Sequence, residues 1–214
     1  MARFGAGRAD GWLMSSEPSP FDDLKLGHDV VWNELREGVQ KPRHAFHWPT
    51  LCYLDGFTPV PRTVVLRNLD RSEKRFEMHT DARSRKAAVI PKAKHASLSF
   101  YDPRKSLQVT VMGRIEMLDP RKEETELAWA KLTLATKTIY ANTIDPGTAM
   151  LEPENTTVPV DEMSTEDLTR ARKNFRVLHL TADRLEVLSL KGNHRRLLFD
   201  YGLAGQRRAA WLAP

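Results

Sequence analysis

Within 25 residues the chain carries Arg62-Thr63-Val64-Val65-Leu66-Arg67, then His79-Thr80, then Ser84-Arg85-Lys86. An arginine opening an apolar strand, followed by hydroxyls, a pair of cations and a helix start, supplies charge and hydrogen-bond donors suited to a phosphate group. The simpler account of the same residues, with Arg85 and Lys86 as solvated first-turn cations, fits the composition equally well. A second basic group, His194-Arg195-Arg196, follows Gly192-Asn193. It reads either as a receiver of an anionic substrate or as an exposed basic turn.

Other chemistries find little in the sequence. His44 and His47 stand three apart on a predicted strand, so they point to opposite faces, and no metal site is expected. Cys52, the single cysteine, lies beside Tyr53 and Leu54 in an apolar run, where a thiol is usually inert packing. Neither a Gly-x-Ser-x-Gly nor a Walker pattern occurs. With 33 Lys+Arg against 28 Asp+Glu the net charge is +5. The basic residues recur in small groups and form no single block, which suits separate anion sites better than nucleic acid. Uninterrupted apolar runs reach at most five residues, against about 20 for a bilayer span. One cysteine gives no disulfide framework, so a cytoplasmic location is the expectation.

These residues need elements to hold them. Residues 1–20, rich in Gly, Ser and Pro, read as a flexible lead, and 21–214 as one domain. Asp22 to Val39 has helical apolar spacing. After Pro42 come short runs rich in Val, Thr, Phe and Tyr: Ala45–Leu54, Arg62–Leu69, Arg75–Thr80, Ala96–Tyr101 and Leu107–Leu118 are predicted strands. Ser84 caps a short helix that Pro91 stops, so Thr80 and Asp81 occupy a strand-to-helix corner. One helix is predicted from Pro120 to about Tyr140, a loop over Asp145–Asp161, and a helix opened by the Ser164/Asp167 capping box. Phe175–Thr181, Arg184–Leu190, His194–Tyr201 and Ala209–Leu212 complete the strands, and Trp32, Trp129 and Trp211 are read as core. The fold class expected is α+β, a mainly antiparallel β-barrel with flanking helices.

In order, these segments resemble the pyridoxamine 5'-phosphate oxidase-like FMN-binding split-barrel family. The matching pieces are Arg62–Arg67, His79-Thr80, Ser84-Arg85-Lys86-Ala87, Phe100-Tyr101-Asp102-Pro103 with Gln108-Val109-Thr110-Val111, Ala128-Trp129 with Thr136-Lys137, and a C-terminal Trp211-Leu212-Ala213-Pro214. The resemblance implies a split barrel working as a homodimer, with FMN at the subunit interface. It implies that Arg62, Arg85, Lys86 and Thr136, with Lys137, surround the FMN phosphate. Thr63, Val64, Val65, Leu66 and Arg67 would run along the flavin, with His79, Thr80 and Ser84 near its phosphate and ribityl chain. Gln108 would come from the second subunit. Arg67, His194 and Arg196 are the residues assigned to substrate.

The chain departs from the family's best-known enzyme where substrate is gripped. Arg67 stands where that enzyme has Lys, and only fourteen residues, Arg114 to Leu127, separate Gly113 from Ala128. The Tyr, Arg and Ser that hold the substrate phosphate there have no counterpart in this shorter connection. Leu188 and Leu198 replace a flavin-stacking Trp and an FMN-facing Arg. The implied function is therefore an FMN-dependent oxidoreductase of a less characterised bacterial branch, acting on another small substrate. A flavin or tetrapyrrole carrier without turnover is the alternative.

Overall fold

The computed structural model describes residues 18–152, 156–202 and 208–214, so most of the lead expected over 1–20 lies outside the described residues. Helix α1 (Leu24–Gln40) starts at Asp23, whose carboxylate accepts from the Leu26 amide, and buries Val31, Trp32 and Leu35. The strands are β1 (Thr50–Asp55), β2 (Thr58–Thr63), β3 (Asn68–Asp70), β4 (Arg75–Asp81), β5 (His95–Asp102), β6 (Leu107–Met117), β7 (Phe175–Ser189), β8 (Arg195–Asp200) and β9 (Arg208–Leu212). All pairings are antiparallel, in the order β2-β1-β5-β6-β7-β4-β3, with β8 and β9 continuing from β7. The expected α+β class is the observed one.

Strand β7 organises the sheet. Along one edge it pairs with β6 from Leu178 to Ser189; along the other its first half pairs with β4 and its second half with β8. The switch falls at a bulge opposite Met112/Gly113. An extra residue bends a strand and sharpens its twist, which lets one strand serve two partners. The interval predicted between Thr181 and Arg184 is this bulge, so two expected strands are one.

Four further predictions are corrected. Ala45–His47 form a 3-10 turn capped by His44, and the strand begins only at Thr50. The strand expected over Arg62–Leu69 divides: Arg62 lies near the end of β2, Val64–Arg67 cross without strand pairing, and β3 begins at Asn68. Alternation persists through the crossing, because Val64 and Leu66 enter the core while Thr63, Val65 and Arg67 turn away from it. The long helix is two, α3 (Glu123–Ala130) and α4 (Leu134–Ala141). Thr133 accepts from the Thr136 amide at 3.2 Å and so caps a new helix in place of continuing the old one. Helix α2 (Arg85–Ala93) runs past Pro91, ending at Lys94 in the left-handed conformation, φ 57°. Helix α5 (Thr165–Asn174) opens on the expected capping box.

Two apolar clusters result. The larger lies between α1 and the inner face of the sheet; the smaller joins Ala128, Tyr140, Ala171, Phe175 and Val177 under α3, α4 and α5. Trp32 is buried, and Trp129 packs on the second cluster. Trp211 is half exposed on the terminal strand, contrary to its expected core role. Cys52 also faces outward, because Leu51 and Tyr53 take the inward positions of β1. Among the described residues no helix is long and apolar enough to cross a membrane, and no group of three metal-ligating side chains occurs.

Candidate functional site

At the end of β4 the chain turns sharply into α2. The Ser84 hydroxyl donates to the Asp81 carbonyl at 2.7 Å and accepts from the Ala87 amide at 3.3 Å. Thr80 Oγ1 lies 3.2 Å from Ser84 Oγ. Arg83 braces the corner. It grips Asp81 through two bonds of 3.0 and 2.8 Å, and its third nitrogen donates to the Asn142 carbonyl at 2.8 Å. The loop after α4 is thereby tied to the start of α2.

Between corner and loop lies a cavity of about 460 Å³, lined by Thr80, Ser84, Lys86, Tyr140, Asn142 and Thr148 among others. Lys86 has no carboxylate partner among the described residues. Burial, and then repulsion from Arg62, pull its pKa below the ordinary lysine value. An ammonium removed from water beside another cation is costly unless an anion joins it. Asn142 Oδ1, buried without a partner in the same cavity, is an acceptor and calls for a donor group beside the anion. Among the described residues Arg62 bonds only its neighbour's carbonyl, Pro61 O, at 2.9 Å. These observations fit an anion beside Lys86, at the first turn of α2, where a helix leaves amides unpaired.

The other residues expected there are placed differently. Arg85 is exposed and holds Asp55 through bonds of 2.7 and 2.8 Å. Thr136 serves the α4 cap, and Lys137 lies 4.8 Å over the Trp129 ring. Gln108 and Arg196 sit on the outer face of the sheet in one cross-strand row with Tyr101, Leu188 and Leu212. There Gln108 donates to Thr110 Oγ1 at 3.4 Å and Arg196 to Glu186 at 2.9 Å. His194 is exposed in the turn before β8. Among the described residues no hydrogen bond or ion pair within one chain joins this row to the Lys86 cavity.

A second cavity, of about 380 Å³, adjoins the first across His79, which lines both. Arg67 and Arg75 line it from the β3–β4 side, with Glu77 on β4, His179 on β7, and Glu124 and Lys131 from α3 and its end. Glu77 and His79 share a face of β4 by two-residue alternation, and register sets His179 directly opposite Glu77. Glu77 lies 3.0 Å from His79 Nε2 and 3.5 Å from His179 Nε2. Burial opposes its charge, but the hydrogen bonds from His179 and His79 prevail and hold its pKa at about 2. Burial pulls His79 below the ordinary histidine value, more strongly than Glu77 raises it. The sequence patterns do not single out Glu77 or His179. The Glu-x-His spacing is a usable signal for the first; nothing local marks the second.

An acid sensitivity follows. A histidine with a depressed folded pKa takes up its proton more readily when unfolded, so stability falls as pH drops below about 6.5. The lowered Glu77 has the same sign: its contribution is complete above about 4.5 and is lost as pH falls towards 2. The melting temperature is expected to fall from pH 7 to pH 5, with a shallower slope in His79→Asn, as a pH series of thermal melts will show.

Residues 30–119 match the family model described as pyridoxamine 5'-phosphate oxidase, FMN-binding domain. Over these residues the chain is similar to that family. Pyridoxine/pyridoxamine 5'-phosphate oxidase 2 of Arabidopsis thaliana is 26% identical to it over 195 residues, covering 86% of this chain and 95% of that one. A pyridoxamine 5'-phosphate oxidase-related, FMN-binding protein from Nostoc punctiforme superposes with a TM-score of 0.71 at 18% identity, covering 87% of this chain and 96% of its own. PhzG from Burkholderia lata, solved with tetrahydrophenazine-1-carboxylic acid, gives 0.64 at 14% identity, covering 94% and 99%. These two likenesses establish the split-barrel fold expected from the family resemblance.

Proposed function

We propose that the protein binds FMN and acts as an oxidoreductase on a small anionic substrate, as a cytoplasmic homodimer with the flavin at the subunit interface. The observation that carries this reading is Lys86: a desolvated ammonium, pressed by Arg62, at a helix start and lining a cavity large enough to admit a phosphate. The family match adds that relatives of this domain are FMN-binding. Bound FMN supplies a two-electron acceptor. The chain's own residues supply position.

Lys86 and Arg62 hold the phosphate by charge, with first-turn amides of α2. The Thr80–Ser84 hydroxyl pair and the Arg83–Asp81 brace fix the corner that presents them. Thr63, Val65 and Arg67, turned away from the core, offer the flavin a side of the crossing chain, and Val64 and Leu66 anchor that chain in the core. His79 closes the cavity from β4. Arg85, Thr136 and Lys137 join the phosphate once the flavin or the second copy displaces their present partners. The half-buried row containing Gln108 and Arg196 serves the flavin of the other copy, which accounts for its lying apart from the cavity in one chain. Arg67, with His194 and Arg196, receives the substrate's charge.

The purified protein is expected to be yellow, or to become so on addition of FMN, and to bleach with a suitable electron donor. A screen that includes pyridoxamine and pyridoxine phosphates reports on substrate. Protein that takes up no FMN in a titration contradicts the proposal; uptake without any donor-dependent turnover leaves a carrier.

A further inference from the structure

A third cavity, of about 380 Å³, lies where the 3-10 turn Pro20–Asp22, helix α1 and the β5–β6 and β7–β8 turns meet. It shares no lining residue with the two cavities above. Leu107 and Ser189 are register partners on the inner face, in step with Leu185 and Val187, whereas Gln108, Leu188 and Arg196 take the outer one. Exposure grades the lining: Phe21, Leu107 and Ser189 are buried and Val30 half-buried, while Arg104 and Lys191 are exposed and so stand at the mouth. Two carboxylates line the cavity and each already has its cation, because Arg195 donates to Asp22 and Lys105 to Glu34, both at 2.6 Å. Among the described residues Arg104 comes no closer than 3.8 Å to a carboxylate, that of Asp102, and Lys191 has no carboxylate partner. The mouth is therefore left with positive charge to spare. Deeper in, Ser189 is 4% exposed and its hydroxyl makes no hydrogen bond among the described residues, yet it is not sealed from water. The open space beside it is this cavity.

We propose that this cavity binds a small carboxylate with an apolar body and a hydroxyl at the end away from its charge. Arg104 and Lys191 take the carboxylate, Phe21, Val30 and Leu107 cover the body, and the Ser189 hydroxyl exchanges a hydrogen bond with the ligand's own. The volume is that of a small-molecule site, in which an apolar wall gives affinity and a few polar groups fix orientation. Inorganic phosphate would answer the charge and leave the apolar wall and Ser189 unmatched. A cation of the same shape meets the spare charge of the mouth and is repelled. A ligand without the far hydroxyl covers Ser189 and leaves it unpaired, which binding selects against. The site stands independently of the flavin reading, since none of its residues is assigned to flavin or substrate.

The test is calorimetric titration of the full chain, with FMN in excess, by three compounds of similar shape. These are 3-(4-hydroxyphenyl)propanoate, 3-phenylpropanoate, which lacks the hydroxyl, and tyramine, which carries an ammonium in place of the carboxylate. Expected are saturable binding of the hydroxylated acid, binding of the plain acid weaker by about fivefold to tenfold, and tyramine weaker still. In Ser189→Ala the two acids bind within about twofold of each other, and in Arg104→Ala/Lys191→Ala both weaken by about tenfold. Absence of saturable binding, tyramine binding as tightly as the acids, or a preference for the hydroxylated acid that survives Ser189→Ala overturns the proposal.

Discussion

Changing Arg62 and Lys86 together to alanine lowers FMN affinity by about a hundredfold to ten-thousandfold, since each charged partner of a desolvated phosphate is worth about 1.5–3 kcal/mol. The effects of the single variants will not add. Arg62 repels Lys86, so removing either cation relieves the other, and the pair is coupled. A companion variant separates binding from folding. Lys86→Met keeps the stem and removes the charge, so the flavin-free protein melts at an equal or higher temperature while FMN affinity drops. Fluorescence titration and thermal melts on the same preparations check both halves. A Lys86→Met protein that melts much lower would show the lysine to be a structural element.

Gly113→Ala is expected to be the most damaging single substitution in the sheet. A Cβ there would lie 2.0 Å from the Thr181 carbonyl oxygen and 2.8 Å from Ala182 Cα, both backbone atoms that cannot swing aside. Overpacking of this kind costs about 3 kcal/mol or more. The loss falls at the bulge where β7 changes partners, and so loosens the register that puts His179 opposite Glu77. Urea unfolding monitored by tryptophan fluorescence measures it. A midpoint close to that of the unmodified chain would mean that β6 and β7 separate at the bulge more easily than their pairing implies.

Much of this arrangement is legible in the residues. Period-two apolar runs announce most strands, Ser84 and Ser164 announce their helices, and the charges and hydroxyls of the Arg62–Lys86 stretch are the groups on which the proposed anion site draws. The features that escape a local reading are those decided by distant partners. Thr133 breaks the long helix because α3 and α4 must each meet the Phe175 cluster from their own side. Val64–Arg67 look like strand because they alternate, yet they cross between β2 and β3 without strand pairing. The bulge in β7 has no turn residue to mark it. At the site, charge is legible in kind but not in detail: Arg85 looks equivalent to Lys86, and Asp55, thirty positions away, claims it. The Glu77–His179 contact depends on the register of strands about a hundred residues apart, which no local pattern encodes.

The central claim is that the cavity beside Lys86 takes the phosphate end of a flavin. Calorimetric titration of the flavin-free protein with FMN and with riboflavin, which share the ring and differ in the phosphate, tests it most directly. The account predicts FMN binding at least a hundredfold tighter than riboflavin, with that advantage largely gone in the Arg62→Ala/Lys86→Ala protein. Equal affinity for the two flavins, or an FMN preference that survives loss of both cations, would contradict it.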